Sequence, residues 1–346
     1  MEDATQGEAT TIVAALRQAL IEEMERDENV VILGEDVAVF GGAYRVTEDL
    51  MEMFGEERVC DTPISEIAIA GAAVGAALTG LRPVAEFQFN DFMALAMDQI
   101  CNQAAKIRFM MGGQVKVPVV FRAPYGATGR AAQHSQSLEA WFVHTPGLKV
   151  VMPTSPYDAK GLLKTAIRDD NPVVFLEHKL LYGAKSPGGK AKTVIHELGA
   201  AFKPAPAHEY TIPFGLAEVK RAGADLTIVA TGLMVYKALK AAGELAAEGV
   251  EAEVIDPRTL VPLDKETILG SVEKTSRLVI VSEDERACGV TAEISAMVAE
   301  EGLLYLDAPI VRVAVPDTPI PFAPVMEGAV IPDEQRIVDA ARSVLE

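Results

Sequence analysis

The chain has 346 residues, 49% of them hydrophobic, enough to bury a sizeable core and to divide into two domains. Fifty acidic residues against 31 basic ones leave a formal charge of −19, which excludes the basic footprint of a nucleic-acid binder. No apolar run is both long enough and free enough of charge to span a bilayer, so neither nucleic acid nor membrane is an expected partner.

The start, MEDATQGEAT, carries acids and lacks both a basic n-region and an Arg-rich amphipathic pattern. That argues against secretory and mitochondrial import signals, unless one has been removed. Cys60, Cys101 and Cys288 are far apart and form no CxxC, which fits a reducing compartment and no structural zinc. A cytoplasmic location is expected. The acidic surplus reads either as a solvated surface that aids solubility or as a docking face for a basic partner.

Along the chain, Ile12, Leu16, Leu20 and Met24 stripe a helix over about Thr11–Arg26. VVILGED follows as a short buried strand. The alternation then repeats: a helix near Thr47–Phe54, RVCDT, an Ala/Gly-rich helix, RPVAEFQ, and a helix from Phe92 to Met111. VKVPVVFRA, GLKVVMP, a helix from Tyr157 to Arg168 and NPVVFLE complete the first half. Short apolar strands between helices predict an α/β domain whose mainly parallel sheet is covered on both faces. Residues 183–213 hold Gly183, Pro187, Gly188, Gly189, Pro204, Pro206 and Pro213 and no convincing periodicity, which predicts a linker or long crossover. A second α/β pattern follows, with DLTIVATG, VEAEVIDPRTL, RLVIVSE and PIVRVAVP as strands and Val235, Leu239, Ala242 and Leu245 striping a helix. The expected domains are therefore 1–182 and 214–346, joined by 183–213.

The common catalytic motifs fail. No GxGxxG opens a helix, no GxxxxGK[ST] occurs, no GxSxG elbow is present, and five histidines lack metal spacing. What remains is spread along the chain. In DTPISEIAIAGAAVG, Ser65 is placed to cap a helix and Glu66 sits on its first turn, ahead of an almost wholly apolar run. A carboxylate at a helix start complements the helix dipole; one facing an apolar interior is unusual. Gln88 and Phe92 lie where a strand ends and its helix begins, the edge at which ligands collect in open α/β sheets. His134 lies in the polar loop GATGRAAQHSQSLEAW. Taken alone, each has a plain structural reading: a dipole-complementing acid, a core aromatic, a satisfied loop histidine.

The set of motifs GEDV, DTPISE, EFQFNDF, DQICNQAAK, QHSQSLEAW, PGLKVV, AIRDDNPVVFLEHKLLYG and DPRTLVPLD closely resembles the beta subunit of the thiamine-diphosphate-dependent decarboxylating component of 2-oxoacid dehydrogenase complexes. The pyruvate and acetoin members look nearest. The likeness covers the chain apart from a divergent segment at about 184–208. It implies a thiamine pyrimidine-binding domain followed by a transketolase C-terminal-like domain.

It also implies a task for the buried acid. In the family the glutamate matching Glu66 hydrogen-bonds the aminopyrimidine ring of thiamine diphosphate, and a dry setting would strengthen that bond and raise the acid's pKa. Ile64, Gln88 and Phe92 match residues lining the aminopyrimidine pocket, with the aromatic ring to stack on it. His134 matches an active-site histidine credited with assisting acyl transfer to lipoamide. Asp169 and Asn171 match a loop that helps hold a structural K⁺, although a plain helix stop before Pro172 reads equally well. Two departures stand out. Ser282 occupies the place of a histidine in many relatives, and the GDG motif that binds Mg²⁺ and the diphosphate is missing. Mg²⁺ and that half of the cofactor are therefore expected on an alpha subunit.

The resemblance thus implies the beta half of an α₂β₂ enzyme, with pyruvate dehydrogenase (acetyl-transferring) as the leading reading and acetoin or branched-chain 2-oxoacid dehydrogenase as alternatives. Half of a split transketolase-like enzyme and a non-catalytic docking subunit for the lipoyl acyltransferase core are the competing readings. Gly71 and Gly75, four apart on the small-residue helix, present one face to a close neighbour, here expected to be another subunit. Expected partners are the alpha subunit, a second beta subunit and the acyltransferase core.

Overall fold

A computed structural model of the chain describes residues 8–183 and 199–346. It divides into two compact units, one of residues up to Tyr125 with Trp141–Phe214, the other of Gly126–Ala140 with Gly215–Glu346. Through His178 the elements are α1 (Ile12–Arg26), β1 (Val30–Gly34), α2 (Leu50–Phe54), β2 (Val59–Asp61), α3 (Glu66–Leu78), β3 (Arg82–Glu86), α4 (Ala105–Met110), β4 (Val120–Tyr125), α5 (Glu139–Val143), β5 (Lys149–Val151), α6 (Pro156–Arg168) and β6 (Val173–His178).

Within the first unit the strands run parallel in the order β5-β6-β4-β3-β1-β2. β4 and β6 are buried along their whole length, as strands covered on both faces must be. α1 begins where Thr11 Oγ1 accepts from Ala14 N (3.1 Å), and it buries Ile12, Leu16, Leu20 and Met24. α6 begins the same way, with Ser155 Oγ accepting from Asp158 N (3.2 Å) and Pro156 in the first turn. Each large aliphatic side chain buried this way stabilises the fold by about 1.5–3 kcal/mol. Lys160 and Lys164 of α6 are fully buried and pair with Glu22 of α1, so these packed helices are also joined by charge.

A second buried ion cluster crosses the sheet. Arg122 on β4, 1% exposed, pairs with Glu86 on β3 and, through Nε at 2.5 Å, with Glu177 on β6. Tyr182 Oη also donates to Glu177 (2.9 Å).

One helix is not as expected. Between Asn90 and Met110 the chain forms a 3₁₀ stretch (Asn90–Ala96), a π-helical stretch (Asp98–Ala104) and only then α4. Met93, Ala96, Ile100 and Ala104 are all buried. An apolar stripe therefore survives at helical spacing while the hydrogen-bond pattern changes beneath it, because the stripe reports facing and not ring size.

Of the expected linker, residues 184–198 lie outside the described residues. The chain beyond them is tied to the first unit: Ala9 and Ala205 exchange backbone hydrogen bonds (2.8 and 2.9 Å), and the Tyr210 ring stacks on Tyr157 at 4.7 Å.

The second unit contains β7 (Glu218–Arg221), β8 (Leu226–Ala230), α7 (Met234–Ala247), β9 (Ala252–Asp256), β10 (Thr259–Val261), α8 (Lys265–Thr275), β11 (Leu278–Glu285), α9 (Val290–Glu301), β12 (Val311–Val315), α10 (Pro324–Val330) and α11 (Glu334–Leu345). Its sheet has the order β12-β11-β8-β9-β7, parallel except that β7 runs against β9. β7 was not expected, since EVKR carries one apolar residue and no alternation that buries a face. The stretch VEAEVIDPRTL is two strands, separated at Pro257 and at Arg258, whose φ of 58° is left-handed.

Candidate active site

β1, β2 and β3 end level with one another, because Gly34 is in register with both Asp61 and Glu86. The segments leaving these ends are Glu35 onward, Thr62 to Glu66, and Phe87 to Phe92. They meet at the carboxyl edge of the sheet, where open α/β folds collect ligands.

Glu66 is the first residue of α3 and is 7% exposed. Ser65 is the N-cap residue, but its side chain makes no capping hydrogen bond, so the expected hydroxyl cap is absent. The carboxylate of Glu66 at the positive end of the helix takes over that electrostatic role. Among the described residues no side chain hydrogen-bonds this carboxylate.

The sequence reasoning passed over Glu35, the acid of GEDV. Burial first, then the Glu66 charge, then Asp36, push the Glu35 carboxyl above its ordinary range. Gln88 joins the same group by donating Nε2–H to the Glu35 carbonyl at 3.2 Å. Phe92 is half-buried, with its ring edge-on to Phe89 at 5.4 Å, and Lys179 lies 4.9 Å from the Phe89 ring centre.

Asn90 was also passed over. It is fully buried, and neither its amide oxygen nor its amide nitrogen has a partner among the described residues. A buried amide left bare on both ends is costly, which makes Asn90 an unusual polar residue at this edge. No periodicity would have found it; its signal is a polar residue between two phenylalanines in FNDF. Ile64 lies two residues before Glu66 and is 84% exposed, so any pocket wall it supplies is open on this chain alone.

Thus the first unit brings together Glu66, Gln88 and Phe92, with Glu35 and Asn90 added. His134 belongs to the second unit. Its backbone N–H donates to the carbonyl of Ala131 (3.3 Å), a residue in the left-handed region at φ 63°. The loop carrying it is fastened at three points within that unit. Ala127 N donates to Glu283 Oε1 (2.6 Å), Gly129 N to Glu327 Oε2 (2.8 Å), and Ser282 Oγ to Glu139 Oε1 (3.3 Å).

Asp169 and Asn171 lie at the opposite, amino edge of the first sheet, just before β6. Asp169 Oδ1 accepts from Asn171 N (2.8 Å) and Nδ2 (2.7 Å), while its other oxygen pairs with Lys149. Asn171 Oδ1 accepts from Arg108 (2.7 Å). Arg82 donates to the carbonyls of Ile167 (2.9 Å) and Asp169 (3.2 Å). Lys149 and Arg108 therefore already engage oxygens of Asp169 and Asn171, the residues expected to help hold a K⁺ ion.

Residues 8–185 match the model of the transketolase pyrimidine-binding domain, and residues 215–337 match the transketolase C-terminal domain. Three relatives align nearly end to end. The acetoin:2,6-dichlorophenolindophenol oxidoreductase subunit beta of Bacillus subtilis is 46% identical over 344 residues, 96% of each chain. The pyruvate dehydrogenase E1 component subunit beta of Rickettsia felis is 48% identical over 335 residues, covering 96% of this chain and 98% of that protein. The 2-oxoisovalerate dehydrogenase subunit beta of Bacillus subtilis is 46% identical over 336 residues, with the same coverage. Among solved structures, a split-gene transketolase described as an inactive beta4 tetramer superposes with a TM-score of 0.77 at 25% identity, over 98% of both chains.

Proposed function

The chain belongs to the transketolase-like family of 2-oxoacid and acetoin dehydrogenase beta subunits, and on that premise we propose that it is the beta half of a thiamine-diphosphate-dependent pyruvate dehydrogenase E1 component. The observation that carries the proposal is Glu66: a carboxylate 7% exposed, with no hydrogen-bond partner among the described residues, at the carboxyl edge of a parallel sheet. The group beside it fits the pyrimidine half of thiamine diphosphate. Glu66 offers an acceptor to a ring N–H, and Phe92 offers an aromatic ring to stack on it.

When bound, that cofactor supplies the electron sink that lets a 2-oxoacid lose carbon dioxide. This chain's part is to hold and orient the ring. Glu66 keeps the acceptor fixed in a site where burial strengthens the hydrogen bond. Gln88 steadies the Glu35 segment beside it. His134 is assigned to proton transfer during passage of the acyl group to a lipoyl arm. The sequence has no GDG motif, so Mg²⁺ and the diphosphate are assigned to an alpha subunit and the working enzyme to an α₂β₂ assembly. The lipoyl acyltransferase core and the cytoplasm complete the reading. A K⁺ ion at Asp169 and Asn171 would have to displace Lys149 and Arg108 from their oxygens.

Acetoin and branched-chain oxoacids are the alternative substrates, as the names of the relatives show. The test is to co-express the chain with its alpha partner and to follow reduction of an artificial acceptor with pyruvate, 2-oxoisovalerate and acetoin in turn. Pyruvate giving the highest kcat/KM supports the proposal. Activity with none of the three, in an assembled complex with cofactor and Mg²⁺, overturns it.

A further inference from the structure

The loop bearing His134 ends in a run of buried polar side chains. Ser135, Ser137 and Glu139 are 1%, 3% and 0% exposed, and Ser135 Oγ, Ser137 Oγ and Glu139 Oε2 have no partner among the described residues. β11 supplies the other half of the cluster with Ser282, Glu283 and Asp284, all at most 5% exposed. Thr231 Oγ1 donates to Ser282 Oγ (3.1 Å), which donates in turn to Glu139 Oε1 (3.3 Å). Asp284 uses Oδ2 to accept from Val290 N at the start of α9 (2.7 Å), and its Oδ1 is bare. A Cβ on Gly289 would lie 2.7 Å from both Asp284 oxygens, so no side chain at that position can screen the acid.

The charges bearing on Glu139 are all negative: Asp284, Glu283 and Glu285. Asp284 faces Glu285 and, from β12, Arg312. Lys237 of α7 is turned towards Glu283. Two ionised carboxylates sharing a dry cluster without a cation on Glu139 would each keep an unsatisfied oxygen and repel one another, an arrangement that buried carboxyl pairs escape by retaining a proton. We propose that Glu139 and Asp284 hold one proton between them, and that neutral Glu139 clamps the loop carrying His134 onto β11. Glu139 is then a positioning residue for the reaction, a role that rests on the function given above for His134.

The direction of titration agrees. Burial, and after it the Asp284 charge, push Glu139 well above the carboxylate range. Burial also pushes Asp284 up to about 6, although the Val290 hydrogen bond pulls the other way. A carboxyl whose folded pKa is raised contributes stability that is full below its unfolded pKa and is lost as pH rises through the folded one. The clamp is therefore closed in mild acid and released on the alkaline side.

The test compares the full-length chain with Glu139→Gln, whose amide keeps an acceptor for Ser282 but has no proton to lose. Thermal unfolding is followed from about pH 5 to about pH 9. The wild type should lose stability as pH rises, and the variant should follow a clearly shallower slope. In the complex with the alpha partner, the alkaline fall in kcat should move up by about one pH unit or more in the variant. Parallel unfolding slopes would overturn the shared proton. A changed slope with an unmoved rate profile would overturn the positioning role. If Glu139→Gln does not fold, hydrogen exchange over residues 127–138 of the wild type decides: protection that weakens with rising pH supports the clamp, and protection that does not contradicts it. Because the unfolding slope needs no turnover, a complex inactive on every substrate would count against the proposed function alone.

Discussion

The Glu66 charge bears on Glu35, and together with burial it holds the Glu35 carboxyl above its ordinary range. Two acids on different segments thus act on each other at the carboxyl edge of the first sheet. Glu66→Gln should lower the Glu35 pKa, although not to the value of an exposed glutamate, since burial is the larger cause and remains. Carbon-detected NMR titration of the labelled chain gives the answer. An unchanged Glu35 would mean that the two carboxyls do not share a site.

If this chain holds only the pyrimidine half of the cofactor, as proposed, it has little with which to bind the whole of it. Titration calorimetry of the isolated chain with thiamine diphosphate and Mg²⁺ should show no binding tighter than about millimolar, whereas the complex with the alpha subunit should bind it well. Micromolar affinity in the lone chain would place a diphosphate site here.

Gly75 lies on an exposed face of α3, and a Cβ added there meets no atom within 4 Å. Ile67 (50% exposed) and Leu78 (41%) share that exposed side, so the helix presents an apolar surface that its own unit does not cover. Replacing an exposed glycine in a helix gains about 0.5–1 kcal/mol of helix propensity. Gly75→Leu should leave the melting temperature of the isolated chain unchanged or slightly raised, and should impair assembly with the alpha subunit, read by sedimentation. A normal heterotetramer with a lowered melting temperature would show that the helix serves only its own domain.

Much of this was legible in the sequence. The order of strands and helices followed from short apolar runs and from stripes such as Ile12, Leu16, Leu20 and Met24, whose signals are local. Glu66, Gln88 and Phe92 are singled out by the order of motifs, and the fold places the segments that carry them at one edge. Three things were not legible. The break of the Phe92–Met111 helix leaves its apolar stripe intact, so periodicity could not reveal it. The short strand β7 has no apolar pattern because it pairs at a sheet edge. Asn90 and Glu139 stand out only because the Asn90 amide and Glu139 Oε2 are buried without partners among the described residues, and burial of a polar atom is a tertiary fact.

The amino edge of the first sheet gives a separate test. With Asp169 paired to Lys149 and Asn171 bonded to Arg108, the structure already satisfies the residues a K⁺ ion would use. Unfolding midpoints of the complex in K⁺ and in tetramethylammonium salts of equal ionic strength should coincide. A higher midpoint in K⁺ would show that the ion displaces these cations.

The central claim is that Glu66 is the acid through which this chain acts on the cofactor, and one substitution meets it directly. In the complex reconstituted with the alpha subunit, Glu66→Ala should assemble normally. Among the described residues the side chain has no hydrogen-bond partner to lose, and the helix-dipole interaction it gives up is worth only about 0.3–1 kcal/mol, so any drop in melting temperature should be small. Its kcat should fall by about 10²–10⁴-fold, the range for removal of a group that governs a proton transfer. Activity within about tenfold of the wild type, in a complex of normal mass and cofactor content, would contradict the account.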